Sequence, residues 1–282
     1  MAAGAGAVAA RYDHVVSVSP QHRSQIPTAG PAQRLQRLDA LRGLAMLWMT
    51  AFHFAFDLNH AGYIHQNFYE NPVWTWQRSA IVSLFLFTAG MGQAVAVAQG
   101  QGWPRFWRRW AQVAGCALLV TLGSWFMFPR SFIYFGVLHG LAVMLIATRW
   151  LLVRRVSGAA LLVAGALLVA LFWLAPAALS AWAGGSVIEA LNSRPLNWLG
   201  LVTRKPITED YVPLIPWLGL VLWGAAAGRW LLAHRPGWLA GGGSVPGRAL
   251  AGLGRWSLSY YMLHQPVLIG ALTAFGWLTG RG

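Results

Sequence analysis

Acidic residues, lysine and cysteine are scarce in this sequence of 282 residues, and each shortage excludes a class of protein. Charged residues make up only 10% of the chain, whereas soluble domains contain roughly 25%. Hydrophobic residues reach 57% and the mean hydropathy is +0.50, so the composition is not that of an ordinary soluble domain. The single cysteine, Cys116, excludes a disulfide framework and a cysteine-based metal site.

The positive charge that remains does not indicate nucleic-acid binding. Twenty arginines and one lysine face seven acidic residues, which gives a net charge of +14. Nucleic-acid-binding proteins gather such charge on one basic face, but here the cations are scattered at the ends of apolar runs. Lysine and arginine in the loops between membrane spans instead indicate orientation, because they favour the cytoplasmic side. With the N-terminus inside, the inner loops hold 12 of these cations and the outer loops six, before the two in the tail.

Long apolar runs predict the fold class. A helix needs about 20 apolar residues to cross a bilayer, within a range of roughly 17–25. We predict an all-α, polytopic transmembrane helix bundle of about seven spans (six to eight), with the N-terminus inside and no internal repeat. We predict that residues 1–33 are a disordered cytoplasmic tail and that residues 34–282 form a transmembrane domain. The candidate spans lie near residues 38–58, 77–98, 109–127, 132–152, 158–180, 212–232 and 252–277.

Ionisable residues within the first span are candidates for function, because a charged group in a bilayer costs at least about 2.5–3.5 kcal/mol to insert. Asp39 and Arg42 are spaced i, i+3 and can pair at the inner end. His53 and Asp57 are spaced i, i+4 on one helix face, where the carboxylate could orient the imidazole. His53 follows Arg42 by 11 residues, or about 16 Å of helix, so it falls in the outer half of the membrane.

Two more spans carry histidines. His139 lies about two turns into the fourth span, and His264 lies mid-span in the last one beside Gln265 and Pro266. For His139, a structural hydrogen bond to a neighbouring helix and a functional role stay equally open. For His264, we favour a role in shaping or forming a site.

Outer loops add polar residues that could line an outward-facing cavity with His53. His60 and His65 follow the first span, and Asp210 and Tyr211 precede the sixth. Each of these is also compatible with an ordinary solvated loop. We predict no metal site, because no two histidines stand at helical ligand spacing.

These residues resemble a known family. Arg42, ten further residues and His53 resemble the first span of the acyltransferase-3 family. The longer string from Arg37 to Leu58 is closer to bacterial relatives of the heparan-α-glucosaminide N-acetyltransferase catalytic domain. Supporting segments are residues 85–90, residues 210–217 and residues 255–266.

The resemblance implies that the protein moves an acetyl group from cytoplasmic acetyl-CoA to a hydroxyl or amine of a sugar-like envelope acceptor, in the bacterial inner membrane and without a metal. Homo-oligomers would be compatible with this role. His53 corresponds to the essential histidine of the wider superfamily. In the animal lysosomal enzyme the active histidine lies in the outer loop, where this chain has His60 and His65, so the choice stays open.

Roles for all the candidates combine this resemblance with the residue chemistry given above. Catalytic residues are predicted to be His53, Asp57 and His264. Binding of the acetyl-CoA donor is predicted for Arg42, His139, Gln265 and Arg255, and the acceptor side for His60, His65, Asp210 and Tyr211. The alternative function is a proton-coupled transporter that uses the buried His and Asp groups as a proton relay.

Overall fold

Helices account for all the regular structure in the part of the chain that the structure describes. A computed structural model describes residues 35–240 and 244–280, so the predicted tail of residues 1–33 lies outside it. Within those two ranges no strand forms, and one isolated parallel bridge joins Phe135 to Tyr211. The helices there are α1 (Gln36–His60), α2 (Pro72–Ala98), α3 (Trp103–Met127), α4 (Val137–Val153), α5 (Gly158–Trp182), α6 (Gly185–Asn192), α7 (Arg194–Asn197), α8 (Leu214–His234), α9 (Pro236–Ala240), α10 (Val245–Arg255) and α11 (Ser257–Leu278).

Helix length and composition confirm an all-α membrane bundle. Four described helices, α2, α3, α5 and α8, are long and apolar enough to cross a bilayer, and α4 is a shorter apolar helix. The other two long helices, α1 with 25 residues and α11 with 22, hold the polar side chains singled out above. The count of seven spans and the orientation therefore stay predictions.

One predicted boundary is wrong. The run 252–277 is not a single helix, because α10 ends at Arg255 and α11 begins at Ser257. Trp256 lies between them as the residue that caps the end of α10; its backbone is not helical and its side chain is 70% exposed. Its indole suits a membrane–water interface, where tryptophan is enriched.

Glycines let the central helices approach closely. A methyl group added at Gly90 of α2 would overlap the carbonyl of Val221 in α8, and one at Gly224 would overlap the carbonyl of Phe87. Small residues at such crossings allow backbone contact between helices in lipid, where packing rather than water exclusion drives association. The α2–α8 pair consequently forms the centre of the bundle.

The N-terminal and C-terminal helices meet at the edge of this centre. α10 packs on the N-terminal half of α1, where Gly43 touches the backbone of Leu250. α11 then runs beside α1, and the Tyr260 hydroxyl lies 2.6 Å from Thr50 Oγ1. The Thr50 hydroxyl donates a hydrogen bond to the Met46 carbonyl at 2.9 Å, so Tyr260 is the donor of the interhelical bond. This bond sets the height at which the histidines of the two helices face each other.

Candidate active site

Two histidines predicted from separate ends of the chain come together between α1 and α11. The ring centroids of His53 and His264 are 5.1 Å apart, with the planes tilted by 65°. His53 is half-buried and His264 is only 9% exposed. The structure therefore gathers the first-span and last-span candidates into one cluster.

The hydrogen bond of His264 fixes which ring nitrogen carries the proton. Its Nδ1 lies 2.7 Å from the carbonyl oxygen of Tyr261. A carbonyl oxygen only accepts, so Nδ1 holds the hydrogen and Nε2 is left with a lone pair. Nε2 is buried and has no partner in the described structure. His264 is thus arranged as a proton acceptor.

Asp57 bonds to α11 rather than to its neighbour on α1. Gln265 Nε2 donates to Asp57 Oδ1 at 2.8 Å, and no bond from Asp57 to His53 occurs within residues 35–240 and 244–280. The expected orientation of His53 by Asp57 is therefore not what the structure shows. Helical spacing placed the two on one face, but the amide from the adjacent helix satisfies the carboxylate instead.

Three polar atoms in this cluster lack a partner. They are Asp57 Oδ2, His264 Nε2 and Gln265 Oε1, all buried. A buried polar atom without a hydrogen bond costs about 1–3 kcal/mol, so each of the three atoms has unused capacity to bind a polar ligand or water. The histidine nitrogen can take up a proton, and the carboxyl and amide oxygens can accept hydrogen bonds from a hydroxyl or an amine.

Two residues that hold this cluster escaped the sequence analysis. Thr50 stands three residues before His53, and Tyr260 stands four before His264. The Tyr260 ring lies nearly parallel to that of His264, with an interplanar angle of 9°. Their helical spacing from the two histidines was a signal that could have revealed them.

The inner end of α1 holds the predicted ion pair. Arg42 Nη1 bonds to Asp39 Oδ1 at 3.0 Å. The guanidinium packs against Gly92 of α2, where any side chain would collide with it. Arg255 is exposed at the end of α10. The predicted contacts of Arg42 and Arg255 with the donor stay predictions.

His139 occupies a closed hydrogen-bond network. Its Nδ1 accepts from the backbone N–H of Gly136 at 3.2 Å, so Nε2 carries the hydrogen and donates to Thr121 Oγ1 at 2.9 Å. The Thr121 hydroxyl donates its own hydrogen bond to the Ile133 carbonyl at 2.7 Å. With both ring nitrogens engaged, His139 fastens the start of α4, and its predicted donor contact gains no support from this geometry.

Asp210 and Tyr211 lie in the loop between α7 and α8. Asp210 Oδ2 accepts from the backbone N–H of Val137 at 2.7 Å, which caps α4 with a negative charge. Burial raises the pKa of Asp210, opposed by that hydrogen bond and by the Lys205 ammonium. The Tyr211 hydroxyl donates to the Asn197 carbonyl at 2.6 Å, and burial raises its pKa. Both predicted acceptor-side residues have these structural partners.

The outer loop after α1 forms a shallow cavity of about 470 Å³. Its floor includes Phe68, whose ring stacks on Trp74 at 4.2 Å and meets Phe52 at 5.7 Å. Phe52 in turn contacts the His53 ring, so this aromatic layer separates the cavity from the histidine pair. His60 is exposed at the end of α1, away from the lining. The lining consists of Asn59, His65, Gln66, Asn67, Phe68 and Tyr69.

Comparison with known protein families matches residues 34–266 to heparan-alpha-glucosaminide N-acetyltransferase, catalytic. The chain belongs to this family. Membership confirms the resemblance carried by the first and last spans and makes the protein, in general terms, a membrane acetyltransferase. Comparisons with curated proteins and with solved structures found no match. In the described ranges, no three His, Cys, Asp or Glu side chains group as a metal site would.

Proposed function

We propose that the protein transfers an acetyl group from cytoplasmic acetyl-CoA to a hydroxyl or amine of a sugar-like acceptor at the outer side of a bacterial inner membrane. The observation that carries this proposal is the unprotonated, buried Nε2 of His264 beside His53. Family membership supplies the reaction class, and the histidine pair supplies a ring nitrogen that can accept the proton of the acceptor group.

His264 acts as the general base in this scheme. The acceptor oxygen or nitrogen attacks the carbonyl carbon of the acetyl thioester, while its proton passes to His264 Nε2. The C–S bond then breaks, the acetyl group stays on the acceptor, and the proton returns to the departing CoA thiolate. His53, within van der Waals reach of the same ring, is placed to help carry that proton.

Asp57 and Gln265 position the reacting groups. Their 2.8 Å bond ties α1 to α11 beside the histidines. Each retains an unpartnered oxygen, and these two oxygens can accept hydrogen bonds from the acceptor hydroxyl or amine. The acceptor is thereby oriented before it loses its proton, which is the usual source of rate gain from a prepared site.

Purified protein in lipid nanodiscs with labelled acetyl-CoA and an envelope saccharide extract tests the proposal. We expect His264→Gln and His53→Gln to lower acetyl transfer by about 100-fold or more, the usual contribution of a positioned base. His234→Gln is the matched control, because His234 is exposed at the end of α8 and bonds only its own helix. Folding of each variant is verified by its thermal unfolding.

Three results would contradict this assignment or its general-base step. Transfer that survives in both variants but disappears in His65→Gln would place the chemistry in the outer cavity. A proton-coupled solute flux without any acetylated product would support the transporter alternative. Acid-quenched protein that retains labelled acetyl on a histidine would replace the general-base step with an acetyl-histidine intermediate.

A further inference from the structure

A second polar feature lies near the opposite end of the bundle from the histidine cluster. Arg149, in the last turns of α4, is only 2% exposed. Its guanidinium carbon lies 5.6 Å from the centre of the Trp103 ring and 5.5 Å from that of Phe106. Its Nη2 donates to the carbonyl of Gln101. Arg149 is therefore held against the start of α3.

The charge of Arg149 has no visible counterpart. Its Nε and Nη1 are buried without a hydrogen-bond partner. Over residues 35–240 and 244–280 the ion pair that forms is Arg42 with Asp39, so no carboxylate faces Arg149 there. A buried cation is costly unless it is paired. Two unused donors on a buried guanidinium therefore indicate an anionic partner from outside the bundle.

The backbone around Arg149 favours an anion as well. Helix α3 is 25 residues long and starts after Gly102, and no side chain caps its N-terminus. The free N–H groups and the dipole at such an end attract negative charge. By contrast, α5 is capped by Ser157, which accepts from the backbone N–H of Ala160 at 3.1 Å. Exposed arginines Arg105 and Arg108 stand in the first two turns of α3.

We propose that Arg149 and the N-terminus of α3 form a binding site for a phosphate group at the predicted cytoplasmic face. Phosphate oxygens would replace the Gln101 carbonyl and also accept from Nε and Nη1, as arginine does when it binds phosphate side-on. Gly100 and Gly102 flank Gln101, and a methyl group at either would make no close contact. The open space beside both glycines lets the Gln101 carbonyl turn away from Arg149 for the ligand, while the N–H groups of residues 99–101 stay bonded to the end of α2.

The phosphate could belong to the headgroup of an anionic phospholipid or to coenzyme A. Tryptophans and arginines at the start of α3 suit an interface rich in anionic lipid. The coenzyme A source rests on the proposed function, since it would hold the donor by its nucleotide end. The lipid source is independent of that function.

Binding measurements on the whole protein distinguish the sources. Nanodiscs of neutral phosphatidylcholine are titrated with coenzyme A, and native mass spectrometry counts phosphatidylglycerol retained after extraction from mixed lipid. We expect Arg149→Gln to weaken one of these interactions by about 10-fold or more, the usual effect of losing charge-assisted bonds. Arg149→Lys should give a smaller loss, because lysine keeps the charge without the fork.

Arg229→Gln is the matched control. Arg229 Nη1 also donates to a carbonyl just before a helix, that of Val156, but the helix behind it has its Ser157 cap. Both interactions should match wild type in this variant. The His264→Gln variant should bind coenzyme A normally although it transfers no acetyl group, which separates failure of this site from failure of the proposed function.

Each outcome of these measurements either supports or rejects the proposed site. Weaker coenzyme A binding in the Arg149 variants supports the nucleotide source, and loss of retained phosphatidylglycerol supports the lipid source. Wild-type behaviour of folded Arg149→Gln in both measurements overturns the proposal. If Arg149→Gln does not fold, Arg149→Lys decides the matter together with competition by inorganic phosphate, and the absence of any effect in both would equally reject the site.

Discussion

The hydrogen bond between Gln265 and Asp57 offers the sharpest test of the site. We consider Asp57→Leu, Gln265→Met and the double variant, because these substitutions keep side-chain volume while removing polarity. Each single change leaves the other partner buried with no hydrogen bond, in addition to the oxygens that already lack one. The double change removes both partners, so no polar group is stranded.

The size of the effect follows from that difference. Interhelical hydrogen bonds in membranes average about 0.6 kcal/mol and reach about 1.7, and a stranded polar group costs about 1–3 kcal/mol. We expect each single variant to lose about 1.2 kcal/mol and the double variant about 1 kcal/mol. The coupling energy would then be about 1.4 kcal/mol, within the range of interhelical bonds and well above the roughly 0.3–0.5 kcal/mol scatter of independent sites.

Equilibrium unfolding in mixed micelles measures the stabilities, and acetyl transfer is measured on the same preparations. The double variant should recover stability but not activity, since it lacks the groups that orient the acceptor. Additive losses of stability, with coupling below about 0.3 kcal/mol, would refute the reasoning because they would mean that the two side chains do not depend on each other. Activity retained by the double variant would exclude the pair from the reaction.

Three further predictions concern the helices and loops around the site. Gly90→Ala should lower stability by about 1–3 kcal/mol, because its methyl group meets the fixed backbone of Val221. Gly92→Ala should cost less, since its methyl group meets only the end of the Arg42 side chain. The melting temperatures of the two variants test this difference. Burial raises the pKa of Asp210, so its neutral form favours folding. This contribution is complete below its ordinary pKa of about 3.9 and is lost as pH rises through the raised pKa. The melting temperature of wild type should therefore fall relative to that of Asp210→Asn, whose amide cannot ionise, as pH rises above about 4, and parallel curves would contradict the shift. Tyr260→Phe removes the donor to Thr50 and should cost about 1 kcal/mol and lower acetyl transfer, with Tyr69→Phe, whose side chain is 61% exposed, as the comparison.

The positions of the helices could be predicted from the sequence, because hydropathy over about 20 residues reports the bilayer directly. Each predicted run overlaps a helix, although the run 132–152 matches the shorter α4 and the last run is divided at Trp256. The segment before that break packs against Gly43 of α1, a contact between segments some 200 positions apart. Composition within one segment carries no record of such a partner.

Partners within the site were harder to predict than its members. His53, Asp57, His264 and Gln265 were all singled out, and the structure brings them together. The bond expected from Asp57 to His53 rested on i, i+4 spacing, which states only that two side chains share a face. Which of them meets a donor depends on the neighbouring helix, and α11 supplies Gln265. Spacing along one helix can propose a pair, but packing between helices selects it.

His139 and His264 show how the structure separates a fastening histidine from a reactive one. Both lie in predicted spans, and sequence alone left the role of His139 open while favouring a site role for His264. In His139 the backbone of Gly136 and the hydroxyl of Thr121 occupy both ring nitrogens, so taking up a proton would break a bond that holds α4. In His264 the Tyr261 carbonyl occupies one nitrogen and leaves the other free, so a proton can be gained and lost without disturbing the helices. A base must return to its starting state in every cycle, and of the two only His264 can do so without breaking a hydrogen bond of its ring.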